Sequence, residues 1–129
     1  MQVAQEYLGE VDERITRLAT ALPGGSALRG GTCGILLGAM VAIGLRYGSV
    51  DREGRDLCKA LGIRTFDFFR ELTRERFGSV DCRGISGFDF TDSEEARKYI
   101  GSEAQKWCGE LLVNTVCFLL PLLDNRQQK

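Results

Sequence analysis

The segment from Cys33 to Leu45 contains no charged residue, and its apolar residues leave no polar side when they are placed around a helix. The run is too short for a comfortable membrane span, so it predicts a helix buried inside a protein. A helix that is apolar all round needs neighbours on several sides. The segment therefore favours the central helix of a bundle, ending near Tyr47 before Gly48-Ser49.

Amphipathic patterns on either side of this segment supply further helices. Apolar residues recur every three or four positions over residues 3–22 and 52–77, with charged residues between them. Asp92 and Ser102 are each followed three positions later by Glu or Gln, the pattern of a capping box, and predict the start of two more helices. No segment shows sustained alternation of apolar and polar residues. The sequence therefore predicts an all-α, single-domain bundle of four to five helices over residues 1–129.

The composition excludes several classes of function. The chain contains no histidine, which removes Ser-His-Asp and Cys-His catalysis, zinc sites of the Cys₂His₂ type and haem held by histidine. Its 17 basic and 18 acidic residues give a net charge of -1, so we expect no binding to nucleic acid. The first residues do not have the pattern of a signal peptide, and the apolar runs are too short for a comfortable membrane span. We therefore expect a cytoplasmic location.

The glycine-rich stretch before the apolar helix predicts a helix start whose unpaired backbone N–H groups can bind an anionic group. Thr32 is a good N-cap, and Cys33 follows it in the first turn. Unpaired N–H groups and the helix dipole there favour a thiolate at Cys33 and can also hold an anionic group. Gly34 and Gly38 lie on one face, where another helix backbone or a flat ligand can approach closely. The candidate cofactor-binding residues are Thr32, Gly34 and Gly38.

The five cysteines carry the chemistry that remains. They cannot all pair within one chain, and no Cys-x-x-Cys motif occurs, so the fold must assemble any joint site. The charge of Arg83 favours a thiolate at Cys82, and Cys108 lies near the start of the last predicted helix. Cys58 and Cys117 fall among apolar residues, and we interpret both as buried packing residues. The candidate catalytic residues are Cys33, Cys82 and Cys108.

Three stretches of the sequence resemble the C_GCAxxG_C_C family of redox-active proteins. Residues 29–48 contain its Cys-Gly-x-x-x-Gly pattern, while residues 76–83 and 106–108 look like its third- and fourth-cysteine segments. The residues that match the pattern are Cys33, Gly34 and Gly38. In the family an upstream cysteine precedes an Ala-Gln pair, and here that position holds Val3; either the thiol is lost or the natural start lies upstream. The resemblance implies a cytosolic helical protein whose thiols take part in redox chemistry or hold a redox centre.

Three functions are consistent with these patterns. The first is thiol/disulfide or electron transfer with an unidentified redox partner, in which Cys33 approaches Cys82 and Cys108. The second is an iron–sulfur cluster or soft metal held by the same cysteines, although clusters normally take four thiolate ligands. The third is a non-catalytic binding module or homo-oligomer, in which the leucines near the end of the chain form the contact surface.

Overall fold

Helices account for nearly all the regular structure of the computed structural model, which describes residues 1–124. They are α1 (Gln2–Leu8), α2 (Glu13–Leu18), α3 (Gly34–Tyr47), α4 (Arg52–Phe77), α5 (Cys82–Ser86), α6 (Ser93–Tyr99) and α7 (Glu103–Leu123). The described part is 69% helix without a strand, so the prediction of an all-α fold is confirmed. Residues 1–124 form seven helices where four to five were expected, because short helices lie where the sequence suggested a longer helix or a loop.

The apolar segment forms the centre of the fold, as its composition predicted. Helix α3 packs against both α4 and α7, which also contact each other. One core cluster joins α1, α3, α4 and the end of α7, and consists of Ala4, Ala39, Ala42, Ile43, Leu61, Leu119, Leu122 and Leu123. A second lies around the start of α3 and consists of Cys33, Leu36, Phe69, Ile85 and Leu111. Burial on several sides satisfies a helix that has no polar face.

The N-terminal segment forms two helices, whereas the pattern over residues 3–22 predicted one. Gly9 adopts a left-handed conformation with a φ of 70° and ends α1. The side chain of Gln5 is fully buried; its Nε2 donates to Thr16 Oγ1 at 2.9 Å, and its Oε1 accepts from the Asp12 backbone N–H at 2.7 Å. Asp12 then caps α2 by accepting from the backbone N–H of Arg14. These bonds fold the segment back at Gly9 and override its helical periodicity.

Residues 24–28 form a left-handed turn between α2 and α3. All five have φ angles between 50° and 75°, and Ser26, Ala27 and Leu28 do so without being glycine. Each such residue costs roughly 1–2 kcal/mol of backbone strain. Backbone bonds hold the turn closed, among them one from the Ala27 N–H to the Ala21 carbonyl at 2.8 Å. The turn delivers the chain to the start of α3.

Helix α7 is longer than the apolar run that the sequence shows, because polar residues extend it at its beginning. Among residues 1–124 it is the one helix long and apolar enough to cross a membrane by length and composition, with a mean hydropathy of 1.4 over its most apolar window. The core helix of a globular protein has the same character, and six residues of α7 are buried in this fold. The expected lack of membrane insertion stays a prediction.

Candidate functional site

The segments that carry Cys33 and Cys82 lie side by side through an isolated antiparallel bridge. Thr32 pairs with Asp81, and the Cys33 N–H donates to the Val80 carbonyl at 2.9 Å, while the Cys82 N–H donates across the bridge at 2.7 Å. Cys33 is therefore the diagonal neighbour of Cys82. Diagonal neighbours in antiparallel pairs share one face and have Cα atoms about 7–8 Å apart. Disulfides usually join Cα atoms about 4.4–6.8 Å apart, so a bond between Cys33 and Cys82 requires a small movement of the backbone.

The bridge also changes the predicted role of Thr32. Its backbone belongs to the pairing with Asp81, and Cys33 takes the N-cap position of α3 with a φ of -53° and a ψ of 131°. The prediction of Thr32 as the N-cap is therefore wrong. A contact between segments 49 positions apart decided the conformation, and the local sequence does not reveal it.

A cavity of about 660 Å³ brings the three candidate catalytic cysteines together. Cys33 reaches it from the start of α3, Cys82 from the start of α5, and Cys108 from the first third of α7. The rest of the wall comes mainly from the apolar faces of α1, α3 and α7, and it contains no charged side chain among the described residues. The fold thus collects three thiols at an apolar cavity.

Burial decides the state of Cys33, which is 8% exposed. Loss of solvation is the largest influence and raises the pKa of its thiol. The N–H groups of Ile35 and Leu36 lower the pKa, although they make no full capping hydrogen bond to the sulfur. The charges of Cys82 and Cys108 raise it again, because neighbouring thiolates repel one another. The expectation that Cys33 is favoured as a thiolate is therefore wrong in the folded chain.

Cys82 is less buried than Cys33 and has one supporting group. Burial raises the pKa of its thiol, the side chain of Ser86 lowers it by hydrogen bonding, and the charge of Cys108 raises it. Arg83 does not contribute, because its Nη2 pairs with Asp89 Oδ1 at 2.9 Å. The expectation of an Arg83-stabilised thiolate is therefore wrong. Sequence reasoning missed Ser86. It lies four positions after Cys82 and therefore on the same face of α5.

Tyr99 is a second residue that sequence reasoning missed, and no local motif marks it. It ends α6 and lines the cavity with the cysteines. Burial raises the pKa of its hydroxyl, and hydrogen bonding to the side chain of Cys108 raises it further. Its ring meets that of Phe90 edge to face, with centroids 5.0 Å apart. Tyr99 therefore stays protonated and can donate a hydrogen bond beside the thiols.

The two remaining cysteines lie outside this site. Cys58 packs against the core cluster that contains Ala42 and Leu61, as predicted, but it is only partly buried. Cys117 is exposed, so the prediction that it is a buried packing residue is wrong. The nine positions between Cys108 and Cys117 place them on opposite sides of α7, and only Cys108 faces the cavity.

Gly34 and Gly38 both line the cavity, but for different reasons. A Cβ atom on Gly34 would lie 3.0 Å from the Leu22 carbonyl oxygen, so this glycine allows the preceding loop to pack against α3. A Cβ atom on Gly38 would meet no atom within 4 Å, so this glycine leaves open space in the cavity. Thr32 does not line it. Binding of a cofactor by these three residues stays a prediction.

All five cysteines are free thiols. Within residues 1–124, no group of three Cys, Asp or Glu side chains is arranged to hold a metal ion. The thiols at the cavity therefore share a wall without forming a ready ligand set for a metal or an iron–sulfur cluster.

Comparison with known proteins gives one match. The family model described as "Putative redox-active protein (C_GCAxxG_C_C)" matches residues 1–120, which include all five cysteines. No curated protein and no solved structure matches the chain.

Proposed function

Because the chain belongs to the C_GCAxxG_C_C family of redox-active proteins, we propose that it carries out thiol–disulfide exchange with Cys33 and Cys82 as the redox pair. The observation that carries the proposal is the bridge between Thr32 and Asp81, which makes the two cysteines diagonal neighbours at one cavity. Burial and mutual repulsion raise the pKa of both thiols, so the reduced pair is neutral and has no stabilised thiolate that oxidation would have to give up.

The difference in burial assigns the order of steps. A thiolate of a partner dithiol attacks the sulfur of Cys82, the less buried member of the disulfide; a mixed disulfide forms and Cys33 leaves as a thiolate. The N–H groups of Ile35 and Leu36 favour that thiolate until it takes up a proton. The partner's second thiol then attacks its own sulfur in the mixed disulfide, and Cys82 leaves beside Ser86. The partner loses two electrons and two protons, which the pair gains.

Cys108 is the third thiol of the proposal. Its charge influences both Cys33 and Cys82, so it lies within electrostatic reach of the pair. The protonated hydroxyl of Tyr99 can donate a hydrogen bond to the sulfur of Cys108. We assign Cys108 the role of a reserve thiol that can exchange with the disulfide from inside the cavity.

The residue at the family's upstream cysteine position also lines this cavity. Val3 occupies that position by resemblance, and it lines the cavity from α1. The proposed exchange needs two thiols, so it tolerates valine there. A V3C variant places a fourth thiol on the cavity wall and is expected to broaden the set of disulfides that form.

Differential alkylation with peptide mass spectrometry tests the proposal. The protein is oxidised with diamide, free thiols are blocked, and the disulfide-linked peptides are identified. We expect a Cys33–Cys82 disulfide that dithiothreitol reverses, and its loss in C82S. The matched control C117S removes an exposed cysteine on the opposite side of α7 and should leave the disulfide unchanged.

Two results would contradict the proposal. One is a set of five thiols that remain free after diamide treatment. The other is stoichiometric iron with visible absorption in anaerobically prepared protein, which would favour the cluster instead. A disulfide between Cys108 and either Cys33 or Cys82 would support thiol–disulfide exchange but contradict the assignment of Cys33 and Cys82 as the redox pair.

A further inference from the structure

The cavity extends well beyond the sulfurs, and its opening is apolar. At about 660 Å³ it has the size of a small-molecule site, which typically spans roughly 300–1,000 Å³. Val3, Leu28 and Leu112 line it and are also about half exposed, so they form an apolar rim. A charged ligand would lose its hydration in such a cavity without meeting a side chain of opposite charge among the described residues. The lining therefore selects a neutral, largely apolar molecule.

We propose that this cavity binds a lipophilic quinone, which accepts electrons from the Cys33–Cys82 dithiol and regenerates the disulfide. The inference rests on the proposed thiol–disulfide exchange, because that exchange leaves the pair reduced. Quinones are neutral, flat and apolar, and they accept two electrons and two protons. A dithiol that closes to a disulfide releases the same number of each, so the reaction needs no further reductant or acceptor.

The reaction balances in two steps. The sulfur of Cys82 bonds to a ring carbon of the quinone, and its proton passes to a quinone oxygen. The sulfur of Cys33 then attacks the Cys82 sulfur and the carbon–sulfur bond breaks. Its electron pair stays with the ring, and the second quinone oxygen takes the proton of Cys33. The products are one disulfide and one quinol.

The polar and aromatic groups of the cavity suit a quinone head group. Tyr99 keeps its hydroxyl proton and can donate it in a hydrogen bond to a quinone oxygen beside the thiols. The rings of Phe90 and Tyr99 offer an aromatic wall at the same place. Further from the sulfurs, Ala42, Leu119 and Leu120 line space for an alkyl chain.

Gly38 provides the variant that tests occupancy of the cavity. Nothing lies within 4 Å of a Cβ atom built there, so G38L projects its side chain into open cavity space. G44L is the matched control: Gly44 lies on the same helix, also has no atom within 4 Å of an added Cβ, and does not line the cavity. Circular dichroism verifies that both variants are folded. If G38L fails to fold, G38A adds one methyl group at the same place.

The single tryptophan of the chain reports binding without any redox step. Trp107 packs against the core cluster that contains Cys33, and it is the chain neighbour of Cys108. Its fluorescence is titrated with decyl-ubiquinone in a C33S/C82S protein, which cannot reduce the quinone. We expect saturable quenching that G44L preserves. G38L should weaken binding roughly tenfold or more, as one misplaced methylene group can in an apolar pocket.

A second measurement follows the reduction itself. Anaerobic wild-type protein reduced with dithiothreitol and freed of it should convert decyl-ubiquinone to the quinol as the Cys33–Cys82 disulfide forms. Absent or G38L-insensitive quenching overturns the quinone inference, as does binding without quinol formation. In each of these cases, the Cys33–Cys82 disulfide formed by diamide shows that the proposed exchange stands. Saturable quenching in a protein that diamide cannot oxidise would instead mean that the exchange fails and the cavity binds quinone without reducing it.

Discussion

Closing a disulfide between Cys33 and Cys82 is expected to raise the free energy of unfolding by about 4 kcal/mol. The bond would link the start of α3 to the start of α5 and close a loop over residues 33–82. The disulfide lowers the conformational entropy of this loop in the unfolded chain and so raises the free energy of the unfolded state. In the folded chain the bridge between Thr32 and Asp81 already holds the ends of the loop near each other, so closing the disulfide needs only a small movement of the backbone.

Urea unfolding with and without dithiothreitol measures this gain. For a slope of about 2 kcal/mol per M, the midpoint of the diamide-oxidised protein should lie about 2 M above that of the reduced protein. C82S should show no difference between the two conditions, whereas C117S should show the full shift. An oxidised protein that carries the Cys33–Cys82 disulfide and unfolds at the reduced midpoint would refute the reasoning. The disulfide would then strain the native bridge by as much as it constrains the unfolded chain.

Three further predictions concern the fold and the thiols. Q5A should lower the free energy of unfolding by about 2–3 kcal/mol in urea titrations, because Gln5 is buried and bonds two partners that would lose it; an unchanged midpoint would contradict this. A27G should raise it by about 0.5–1 kcal/mol by relieving a left-handed φ of 50°, and a loss of stability would mean that the turn is not strained. Burial raises the pKa of Cys33 and Cys82, so their contribution to stability is complete below about pH 8.5 and is lost as pH rises through the raised values. Reduced wild-type protein should therefore lose more stability between roughly pH 8 and pH 10 than C33S/C82S; equal losses would refute this.

The sequence was most informative where one local signal acted without competition. The apolar run that became α3 could be assigned to the centre of the fold, because no other arrangement covers all its sides. The bounds of α4 were predicted from its periodicity, and Gly78 ends that helix with a φ of 60°. Asp92 caps α6 by accepting from the N–H groups of Glu94 and Glu95. Caps and periodicity are local properties, and for these elements the fold agrees with them.

The structural predictions that failed depended on contacts beyond the reach of a helical turn. The buried side chain of Gln5 bonds back to Asp12 and Thr16 and so divides the N-terminal helix. Pairing with Asp81 takes Thr32 out of the N-cap position. The sequence does not reveal the partners of the Gln5 side chain or of the Thr32 backbone, because they become neighbours only after the chain turns.

Electrostatic predictions for the thiols failed for a different reason. A helix start and an adjacent arginine both favour thiolate, and both features are visible in the sequence. Depth of burial is not visible, and at Cys33 it outweighs the N–H groups. The sequence also does not show where the Arg83 side chain points. In the structure it forms an ion pair with Asp89. The prediction that Cys33 approaches Cys82 and Cys108 agrees with their place on one cavity. Their catalytic role, a homo-oligomer and a cytoplasmic location stay predictions.

The left-handed turn over residues 24–28 has a consequence for the rate at which molecules enter the cavity. Gly24 and Leu28 belong both to this turn and to the cavity wall. Strain stored in the turn is released when its backbone bonds open, so this stretch opens at lower free energy than the packed helices. Amide protons of the turn should therefore exchange with solvent well before those of α3. Leu28 is also part of the half-exposed apolar rim, so opening of the turn widens an entrance that already exists. Hydrogen exchange at the turn therefore measures how often the entrance widens for a bulky guest.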